Sequence, residues 1–353
     1  MMASPQNQRE TSNTSWIKIV TKYNRPDALK SWWQLSVNLF LYSIAWFLMY
    51  ESLSISWWIT FALSLPAAGM LVRLFIIYHD CGHGAFFKSE KLNNSVGLFI
   101  GILTFTPYYS WSYQHHIHHE TAGNLDKRGI GDVWTMTVDE YRESSAWQKI
   151  MYRFYRHPVT MFGIGAFYVF VIGNRFTKKY MDNKGRLGVY ATNAGLLFFA
   201  ASMSLLIGVK AFILIQLPII AIAGIFGFWL FYVQHQFDPT YWSRTNTWNY
   251  QRMALEGSSY YKLPRILQFF SGNIGFHHIH HLSPLIPNYK LARCQRENTL
   301  FQDIKPLTFW ASFKTLTYRL WDEKEQQMVS FRNLKLSGAG GMTSDELRVT
   351  NYD

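Results

Sequence analysis

The sequence predicts an all-α integral membrane protein with four transmembrane helices in two hairpins, interfacial helices, and a helical cap on the cytoplasmic side. Apolar stretches, aromatic content and charge distribution support this fold class. Aromatic residues make up 18% of the 353 residues and charged residues 16%, against roughly 25% charged residues in a typical soluble domain. Trp and Tyr collect at membrane–water boundaries. The mean hydropathy of -0.06 is low for a chain wholly inside a bilayer, so a large polar portion is expected outside it.

The four apolar stretches lie at about residues 35–50, 55–78, 190–207 and 211–233. A helix needs roughly 20 mostly apolar residues to cross the hydrocarbon core. The second and fourth stretches reach that length, and the first and third can extend into residues at the membrane boundary. Short turns near 51–54 and 208–210 join the stretches in pairs, so each pair is predicted to form a helical hairpin. Two weaker runs, 96–109 and 159–173, are too short to span and are predicted to be interfacial.

The positive charges set the predicted orientation. Five Lys and Arg precede residue 35, thirteen lie within 79–188 and fourteen follow residue 234, whereas the two tight turns contain only Lys210. Because Lys and Arg accumulate in cytoplasmic loops, both termini and the segment 79–188 are expected on the cytoplasmic side of the cell membrane. Anionic lipid, rather than nucleic acid, then accounts for the net charge of +12.

The chain is predicted to divide into a polar N-terminal segment at 1–30, one membrane domain at 31–335 and a flexible C-terminal tail at 336–353. The first thirty residues lack an apolar core, so we expect no signal peptide there. The two cysteines, Cys81 and Cys294, are far apart in the sequence and indicate no disulfide framework. Cys81 lies within a histidine motif, where we expect it to pack on the back of a helix.

Ten of the twelve histidines fall into three clusters, at 79–83, 115–119 and 277–281. On a helix, residues at i, i+3 and i+4 share one face, so each cluster directs two or three imidazoles to one point. Neutral imidazole binds iron, zinc, copper and nickel, which favours a metal site over a packing role. The imidazoles that share a face in this way are those of His79, His83, His115, His118, His119, His277, His280 and His281.

The clusters must lie on the same side of the membrane to share a metal site. One hairpin, 190–233, separates the second cluster from the third, and its two crossings return the chain to the same side. His235 directly follows the fourth stretch, where either a ligand or a structural role is open at this point. His157 precedes Pro158 in a basic stretch and is predicted to be structural or solvated.

The motifs HxxxH, HxxHH and HxxHH, which begin at His79, His115 and His277, resemble the three histidine boxes of the membrane fatty acid desaturase family. Within that family, the chain is most similar to the acyl-lipid Δ5 desaturases of Gram-positive bacteria, over nearly all of residues 25–335. The segments that carry this closer resemblance are His79–Cys81, Asn124–Arg128, Gly131–Trp134, Phe231–His235, Glu256–Ser259, Gly272–Gly275 and Leu282–Pro284.

The resemblance implies a di-iron centre of histidines without bridging carboxylates. The eight box histidines fill the family's ligand positions, and His235 matches an additional ligand after the last span, whereas His116 and His278 fall at variable positions and are left out. The implied activity introduces a cis double bond into a lipid-linked acyl chain, with Δ5 of phospholipid acyl chains the expected position. The implied cofactors are two iron ions (Fe²⁺), with O₂ as co-substrate.

Ligand histidines usually donate their second N–H to a carboxylate or carbonyl. The carboxylates near the boxes are therefore candidates for orienting the ligands, although some of them could instead cap helices or pair with Lys127 and Arg128. Asn273, four residues before His277, could reach the same face and hold a water on a metal. The candidate carboxylates are Asp80, Glu120, Asp132 and Asp238.

The sequence contains no haem-binding cytochrome b5 module, CxxC iron–sulfur pattern or Rossmann glycine fingerprint. Electrons are therefore expected from a separate ferredoxin or flavodoxin, whose acidic surface would be attracted to the basic cytoplasmic face. The acyl chain of a membrane phospholipid is expected to enter from the bilayer between the hairpins. Trp111, Tyr113 and Trp134 are candidates for the tunnel or its boundary.

Three other kinds of function stay open. An acyl hydroxylase or a carotenoid oxygenase would share the same di-iron scaffold and would differ in the product. A membrane zinc peptidase would need a general-base glutamate, as in HExxH, whereas position 80 is Asp within HxxxH. A metal transporter or sensor would place its ionisable ligands inside the spans, whereas these clusters lie just outside them.

Overall fold

The computed structural model describes residues 16–337 and is predominantly helical, with two long helical hairpins and a cap of short elements. Residues 16–21 are helical. In chain order the α-helices that follow are α1 (Ala28–Ser52), α2 (Trp57–Gly82), α3 (Glu90–Leu103), α4 (Tyr108–Thr121), α5 (Val138–Glu143), α6 (Ala146–Tyr155), α7 (Asn183–Ile207), α8 (Val209–His235), α9 (Tyr250–Glu256), α10 (Arg265–Phe270), α11 (His277–Leu282), α12 (Asn288–Glu297), α13 (Phe309–Ser312) and α14 (Phe331–Ser337).

The four predicted apolar stretches form α1, α2, α7 and α8, and each pair packs as a hairpin as predicted. The Ser56 side chain begins α2 by accepting a hydrogen bond from the Trp58 backbone N–H at 3.3 Å. A single residue, Gly208, separates α7 from α8 and has φ 87°. This left-handed conformation strains any residue with a Cβ, so glycine permits the tight connection.

Three helices, α2, α7 and α8, are long and apolar enough to cross a membrane, within the part of the chain that the structure describes. Helix α1 does not meet that criterion, although it was predicted to span. It turns the polar side chains of Gln34 and Asn38 inward, where Gln34 donates a hydrogen bond to Asn288 Oδ1 at 2.8 Å. The outer face of α1 is apolar, with Phe40 65% and Phe47 58% exposed.

The predicted interfacial run 96–109 forms the end of α3 and the start of α4. With 14 residues, α3 is too short to span, and Ile100 packs in the same apolar cluster as Leu74 of α2. The other predicted run, 159–173, is less regular. Two π-helical segments, Val159–Gly165 and Tyr168–Ile172, lead into a 3₁₀ turn at Gly173–Arg175.

Helix α6 and residues 159–175 are together long and apolar enough to form one further span, and they meet at a bend of 66°. Pro158 lies at the break, where its ring prevents a straight α-helix from continuing. This pair fits a broken span or a re-entrant segment as well as the predicted interfacial position.

The cap consists of residues 122–158 and 236–337 and contains short strands that the all-α prediction did not include. Strand β1 (Met136–Thr137) pairs in parallel with β4 (Leu320–Asp322), which pairs antiparallel with β5 (Gln327–Val329). Strands β2 (Tyr261–Lys262) and β3 (Leu307–Thr308) form a second, parallel pair. The fully buried Arg156 joins the two parts of the cap by donating to Trp134 O at 3.2 Å, Gln236 Oε1 at 2.7 Å and Tyr318 O at 2.9 Å.

The N-terminal part of the described chain packs on the cap. Val20 and Tyr23 are buried in the same apolar cluster as Leu291 and Cys294 of α12. The Tyr23 hydroxyl donates to Glu297 Oε2 at 2.7 Å. The predicted polar segment at 1–30 is therefore packed over its last part. Of the tail predicted at 336–353, residues 336 and 337 belong to α14, whereas residues 1–15 and 338–353 lie outside the described residues.

Helices α2 and α8 are partly buried and end at the C-cap residue His83 and at His235, whereas α7 has a mainly exposed surface. In α2, Leu74 and Ile77 are fully buried and anchor the helix end that carries the first cluster. In α7, Leu197, Phe198 and Leu205 are 73%, 76% and 88% exposed. An exposed apolar surface of this extent marks contact with lipid.

Candidate metal centre

The first histidine cluster lies at the C-terminal end of α2. His79 and the C-cap residue His83 are one turn apart, with ring centroids separated by 4.7 Å. Cys81 is buried on another face, and its carbonyl accepts a hydrogen bond from the Tyr108 hydroxyl at 2.7 Å. This position agrees with the packing role expected for Cys81.

The second cluster lies on α4, and its imidazoles occupy one face of this helix. His115, His118 and His119 point inward as the i, i+3, i+4 spacing predicts. His116 faces outward, and its Nε2 lies 3.2 Å from Glu120 Oε1 on the exposed side of the helix.

The third cluster forms the short helix α11, where His277, His280 and His281 are buried together. His278 is also fully buried but turns away from them, with its Nε2 2.9 Å from Gln295 Oε1. The structure thus places both variable-position histidines, His116 and His278, away from the converging imidazoles. His157 is exposed and also lies outside them.

His235 ends α8 and lies among the clustered imidazoles. Its Nε2 lies 3.1 Å from His118 Nε2 and 3.0 Å from His277 Nε2. One N–H hydrogen cannot satisfy both contacts. Three nitrogens that converge in this way fit the ligand shell of a metal ion.

The nine imidazoles form two groups, within each of which the ligand atoms lie within 4.8 Å of one another. The five-histidine group consists of His79, His83, His115, His119 and His280. The four-histidine group consists of His118, His235, His277 and His281. All nine histidines that the sequence and the resemblance single out belong to one of these groups.

The division between the groups follows helix geometry. In every box, the two histidines at i and i+4 belong to the same group. The histidine at i+3, His118 in the second box and His280 in the third, belongs to the other group. Each HxxHH box therefore serves both groups at once, and the two groups lie side by side.

The nitrogens lie at distances that the ligands of one metal ion can have. In the five-histidine group, His119 Nε2 lies 3.2 Å from His115 Nε2 and 3.0 Å from His280 Nε2. With metal–nitrogen bonds of about 2.1 Å, adjacent ligands of one ion are about 3.0 to 3.4 Å apart. Buried nitrogens without a hydrogen-bond partner, including His79 Nε2 and one of the two ring nitrogens of His281, would gain a partner from such an ion.

Burial favours the neutral, metal-binding form of several of these imidazoles. Burial lowers the pKa of His119, His280 and His281 well below the ordinary imidazole value, and neighbouring imidazoles lower it further. His119 and His281 belong to different groups and stack with ring centroids 4.1 Å apart at 20°. This stacked pair joins the two groups directly.

Asp132 contacts a histidine of the four-histidine group. Its Oδ1 lies 2.7 Å from His118 Nδ1, which leaves His118 Nε2 directed at His235 and His277. The preceding Gly131 has φ 80°, and a Cβ there would lie 2.9 Å from Gln114 O. Only glycine therefore allows this loop to bring Asp132 so close to α4.

Asp80 lies farther from His79 than Asp132 lies from His118, and it also binds Asn288. Its Oδ1 lies 3.3 Å from His79 Nδ1, and its Oδ2 accepts hydrogen bonds from the backbone N and the Nδ2 of Asn288, at 2.7 and 2.8 Å. Because Asp80 and Asn288 are both buried, this carboxylate fixes α12 against the end of α2.

The other predicted orienting residues have different neighbours. Glu120 contacts the outward His116 because it lies on the opposite face of α4 from the inward imidazoles. Asp238 Oδ1 accepts a hydrogen bond from the Met328 backbone N at 3.0 Å, which links the end of α8 to β5. Asn273, at φ 63°, accepts from Gln268 Nε2 at 3.0 Å and donates to Asn288 O at 3.3 Å.

Comparison with known proteins agrees with this geometry. The family model for fatty acid desaturases matches residues 55–311. A fatty acid desaturase from Bacillus subtilis is 46% identical over 318 residues, which cover 90% of each chain. This chain belongs to the fatty acid desaturase family. Family membership makes it a membrane oxidoreductase that desaturates fatty acids.

The names of two more distant relatives specify their activities more narrowly. An endoplasmic-reticulum omega-3 fatty acid desaturase from Vigna radiata is 27% identical over 265 residues, covering 70% of this chain and 66% of the relative. An sn-1 acyl-lipid omega-3 desaturase (ferredoxin) from Synechocystis sp. is 26% identical over 236 residues, covering 62% of each.

The desaturase has a cavity of about 350 Å³ that runs from the histidines down between α2 and α8. His79 and His115 of the five-histidine group line it, as does His277 of the four-histidine group. Most of the other lining side chains are apolar, including Phe75, Leu71 and Ile220. Trp111 lines the cavity as predicted.

The other two aromatic candidates for the tunnel lie outside this lining. The Tyr113 ring is 6.4 Å from that of Tyr180, and the Trp134 ring is 4.9 Å from that of Tyr152. The sequence reasoning also missed Asn288 and Gln295, which hold Asp80 and His278. Neither carries a local sequence signal, since Asn288 is 208 positions from Asp80.

Proposed function

We propose that this chain is a membrane acyl-lipid desaturase that uses two Fe²⁺ ions, O₂ and two electrons to introduce a cis double bond into a phospholipid acyl chain, with Δ5 as the expected position. The balanced reaction converts –CH₂–CH₂–, O₂, two electrons and two protons into –CH=CH– and two waters. The observation that carries the proposal is the convergence of nine imidazoles, in two adjacent groups, on an apolar cavity.

The five-histidine group would hold one iron and the four-histidine group the other. The five neutral imidazoles of the larger group exceed the four ligands that structural zinc prefers, which favours Fe²⁺. When bound, the irons supply the activation of O₂ that removal of hydrogen from an unactivated methylene requires. Asp132 and Asp80 would orient His118 and His79, while Asn273 stays a candidate for holding a water near His277.

The protein's own contribution is to position the acyl chain and exclude water. The apolar walls of the cavity, from α2 and α8, accept a hydrocarbon chain, and His79, His115 and His277 form the part of the wall where the chain would react. The cavity extends from the histidines alongside the apolar helices α2 and α8, so a chain anchored in the bilayer is expected to enter from the membrane.

The electron donor is proposed to be a ferredoxin or a flavodoxin. The Synechocystis relative is described as ferredoxin-dependent and acyl-lipid, and the net charge of +12 favours an acidic partner. We further propose that α1 is the fourth span of the domain at 31–335 and that both termini and the histidines lie on the cytoplasmic side, as the charge distribution favours. Reduction by a ferredoxin should slow as salt rises, and a rate independent of salt would contradict the electrostatic part of this proposal.

Expression in a host without the activity, followed by mass spectrometry of its lipids, tests the reaction. Loss of two hydrogens at carbons 5 and 6 of a phospholipid acyl chain is the expected result. Gain of one oxygen would instead indicate the hydroxylase alternative, and one zinc per protein without iron would indicate the peptidase. The matched inactive control is His118→Ala, which removes a proposed ligand without changing the cavity lining.

A further inference from the structure

The cavity has a polar mouth that is distinct from its apolar interior. Two of its lining residues, Gly131 and Lys178, are exposed, so the cavity opens between them. The amides of Gln114 and Asn174 line the cavity with them. A hydrocarbon chain cannot form hydrogen bonds or ion pairs with a cation and two amides. The polar headgroup of a lipid can.

Lys178 is held at this mouth by aromatic rings rather than by an acid. Its Nζ lies 5.8 Å from the centre of the Tyr180 ring, which stacks on Tyr113, the neighbour of Gln114 on α4. No carboxylate lies within 4 Å of Lys178 in the described part of the chain. Its positive charge is therefore available to a ligand.

The surrounding segment has the same sign of charge. Residues 174–186 contain Arg175, Lys178, Lys179, Lys184 and Arg186 against one acid, Asp182. Asp182 is already engaged, because its carboxylate accepts a hydrogen bond from the Gly185 backbone N at 2.7 Å at the start of α7. Asp132 also lines the cavity beside Gly131, but its Oδ1 lies 2.7 Å from His118 Nδ1, so the segment around Lys178 still gives the mouth a net positive charge.

The mouth lies close to the histidines, and the far end of the cavity does not. Gln114 directly precedes His115 in the lining. At the other end, Leu71 lies eight residues before His79 on α2, which at 1.5 Å per residue places it about 12 Å deeper. A lipid bound with its head at the mouth would therefore present carbons near its carboxyl end to the histidines and extend its tail inward.

We propose that Lys178, with the amides of Gln114 and Asn174, forms a binding site for the phosphate of a phospholipid substrate. The proposal rests on the proposed acyl-lipid desaturation and names how the substrate is anchored. The same phosphate chemistry occurs in acyl-CoA, so the test includes both molecules. It also includes diacylglycerol, which has acyl chains but no phosphate.

The experiment uses the full-length protein with Lys178→Gln and Lys178→Arg, and with Lys179→Gln as a control of equal charge change beside the mouth. Native mass spectrometry of the metal-free protein measures retention of palmitoyl phosphatidylglycerol, palmitoyl-CoA and dipalmitoylglycerol. Lys178→Gln should weaken phosphatidylglycerol binding about fivefold, as expected for one cation at a lipid headgroup, and leave diacylglycerol binding unchanged. Lys178→Arg should restore binding, and Lys179→Gln should behave as wild type.

Kinetics of the iron-loaded protein provide the second measurement. Lys178→Gln should raise KM for phosphatidylglycerol about fivefold with kcat unchanged. Equal losses for phosphatidylglycerol and diacylglycerol, or equal effects at Lys178 and Lys179, would overturn the site. A loss confined to palmitoyl-CoA would overturn the phospholipid assignment. If the wild type binds lipid selectively yet desaturates nothing, the proposed function fails while the binding result still decides on Lys178.

Discussion

The five-histidine group and the four-histidine group are built from the same two HxxHH boxes but differ in how they are secured. The five-histidine group adds both histidines of α2 and includes the half-buried His83 and His115. The four-histidine group adds only His235, and all its members are buried. The larger group offers five imidazoles to a metal ion, whereas the smaller offers four, one of which contacts a carboxylate.

Asp132 and Asp80, which contact one histidine in each group, differ in how closely they approach it. Asp132 lies 2.7 Å from His118, within the range of a charge-assisted hydrogen bond. Asp80 lies 3.3 Å from His79 and gives its other oxygen to Asn288. Asp132 therefore interacts mainly with a histidine, whereas Asp80 interacts mainly with the residue that packs α12 against α2.

Removal of one proposed ligand from each group should give the largest difference in iron content between two variants. His118→Ala leaves three ligands in its group, so iron should fall from about two to about one per protein and desaturation by more than about 100-fold, beyond the effect of losing an outer partner. His83→Ala leaves four ligands, and more than half of its group's iron should be retained. Iron analysis of the purified variants measures this, with His157→Ala as an exposed control. Equal iron loss in both variants would remove the distinction between the groups.

Asp132→Asn should cause the next largest loss of iron binding. The amide keeps the size of the side chain but loses the charge that fixes the tautomer of His118, so iron affinity of the four-histidine group should fall about 10- to 100-fold. Competition with a chelator measures that affinity, while unchanged thermal unfolding of the metal-free protein would separate orientation of His118 from a general packing defect. Iron affinity equal to that of wild type would show that Asp132 is not needed to orient His118.

Asp80→Asn should act mainly on stability. Both donors of the buried Asn288 bond to the same oxygen of Asp80, and hydrogen bonds to a neutral amide oxygen are weaker than those to a carboxylate, by about 1 kcal/mol each. The midpoint of thermal unfolding in detergent should therefore fall, while the chelator competition should change less than for Asp132→Asn. Asn288→Ala should lower the midpoint in the same way. A variant that loses iron but keeps its unfolding midpoint would reverse the roles assigned to the two acids.

The sequence predicted those parts of the site that depend on local periodicity. The i, i+3, i+4 rule placed eight imidazoles on inward faces and turned His116 outward, and the apolar stretches gave the helices that bring them together. His235 needed the family resemblance, because a single histidine after a helix has no periodic partner. The pairing of Asp80 with Asn288 was beyond reach, since it joins residues that only the packing of α12 on α2 brings into contact.

The fold could likewise be predicted only where it depends on local sequence. The hairpins and the short α3 follow from hydropathy and length, whereas the polar inner face of α1 was not foreseen, because Gln34 and Asn38 gain their partners from the rest of the structure. The bend before residue 159 has a local cause in Pro158, but its angle of 66° depends on what the two segments pack against. The short strands of the cap are two or three residues long, too short to leave an alternating pattern.

Glu120→Gln should have the smallest effect, and it tests the rotation of α4 on which both groups depend. Glu120 is exposed and contacts only the exposed His116 among the ion pairs of the described residues, and a surface pair of this kind contributes little to stability. Iron content, chelator competition and unfolding midpoint should all match wild type. His116→Ala should match it as well. Loss of iron in Glu120→Gln would mean that this carboxylate orients an inward histidine after all, and the assignment of His115, His118 and His119 to the inner face of α4 would then have to be redrawn.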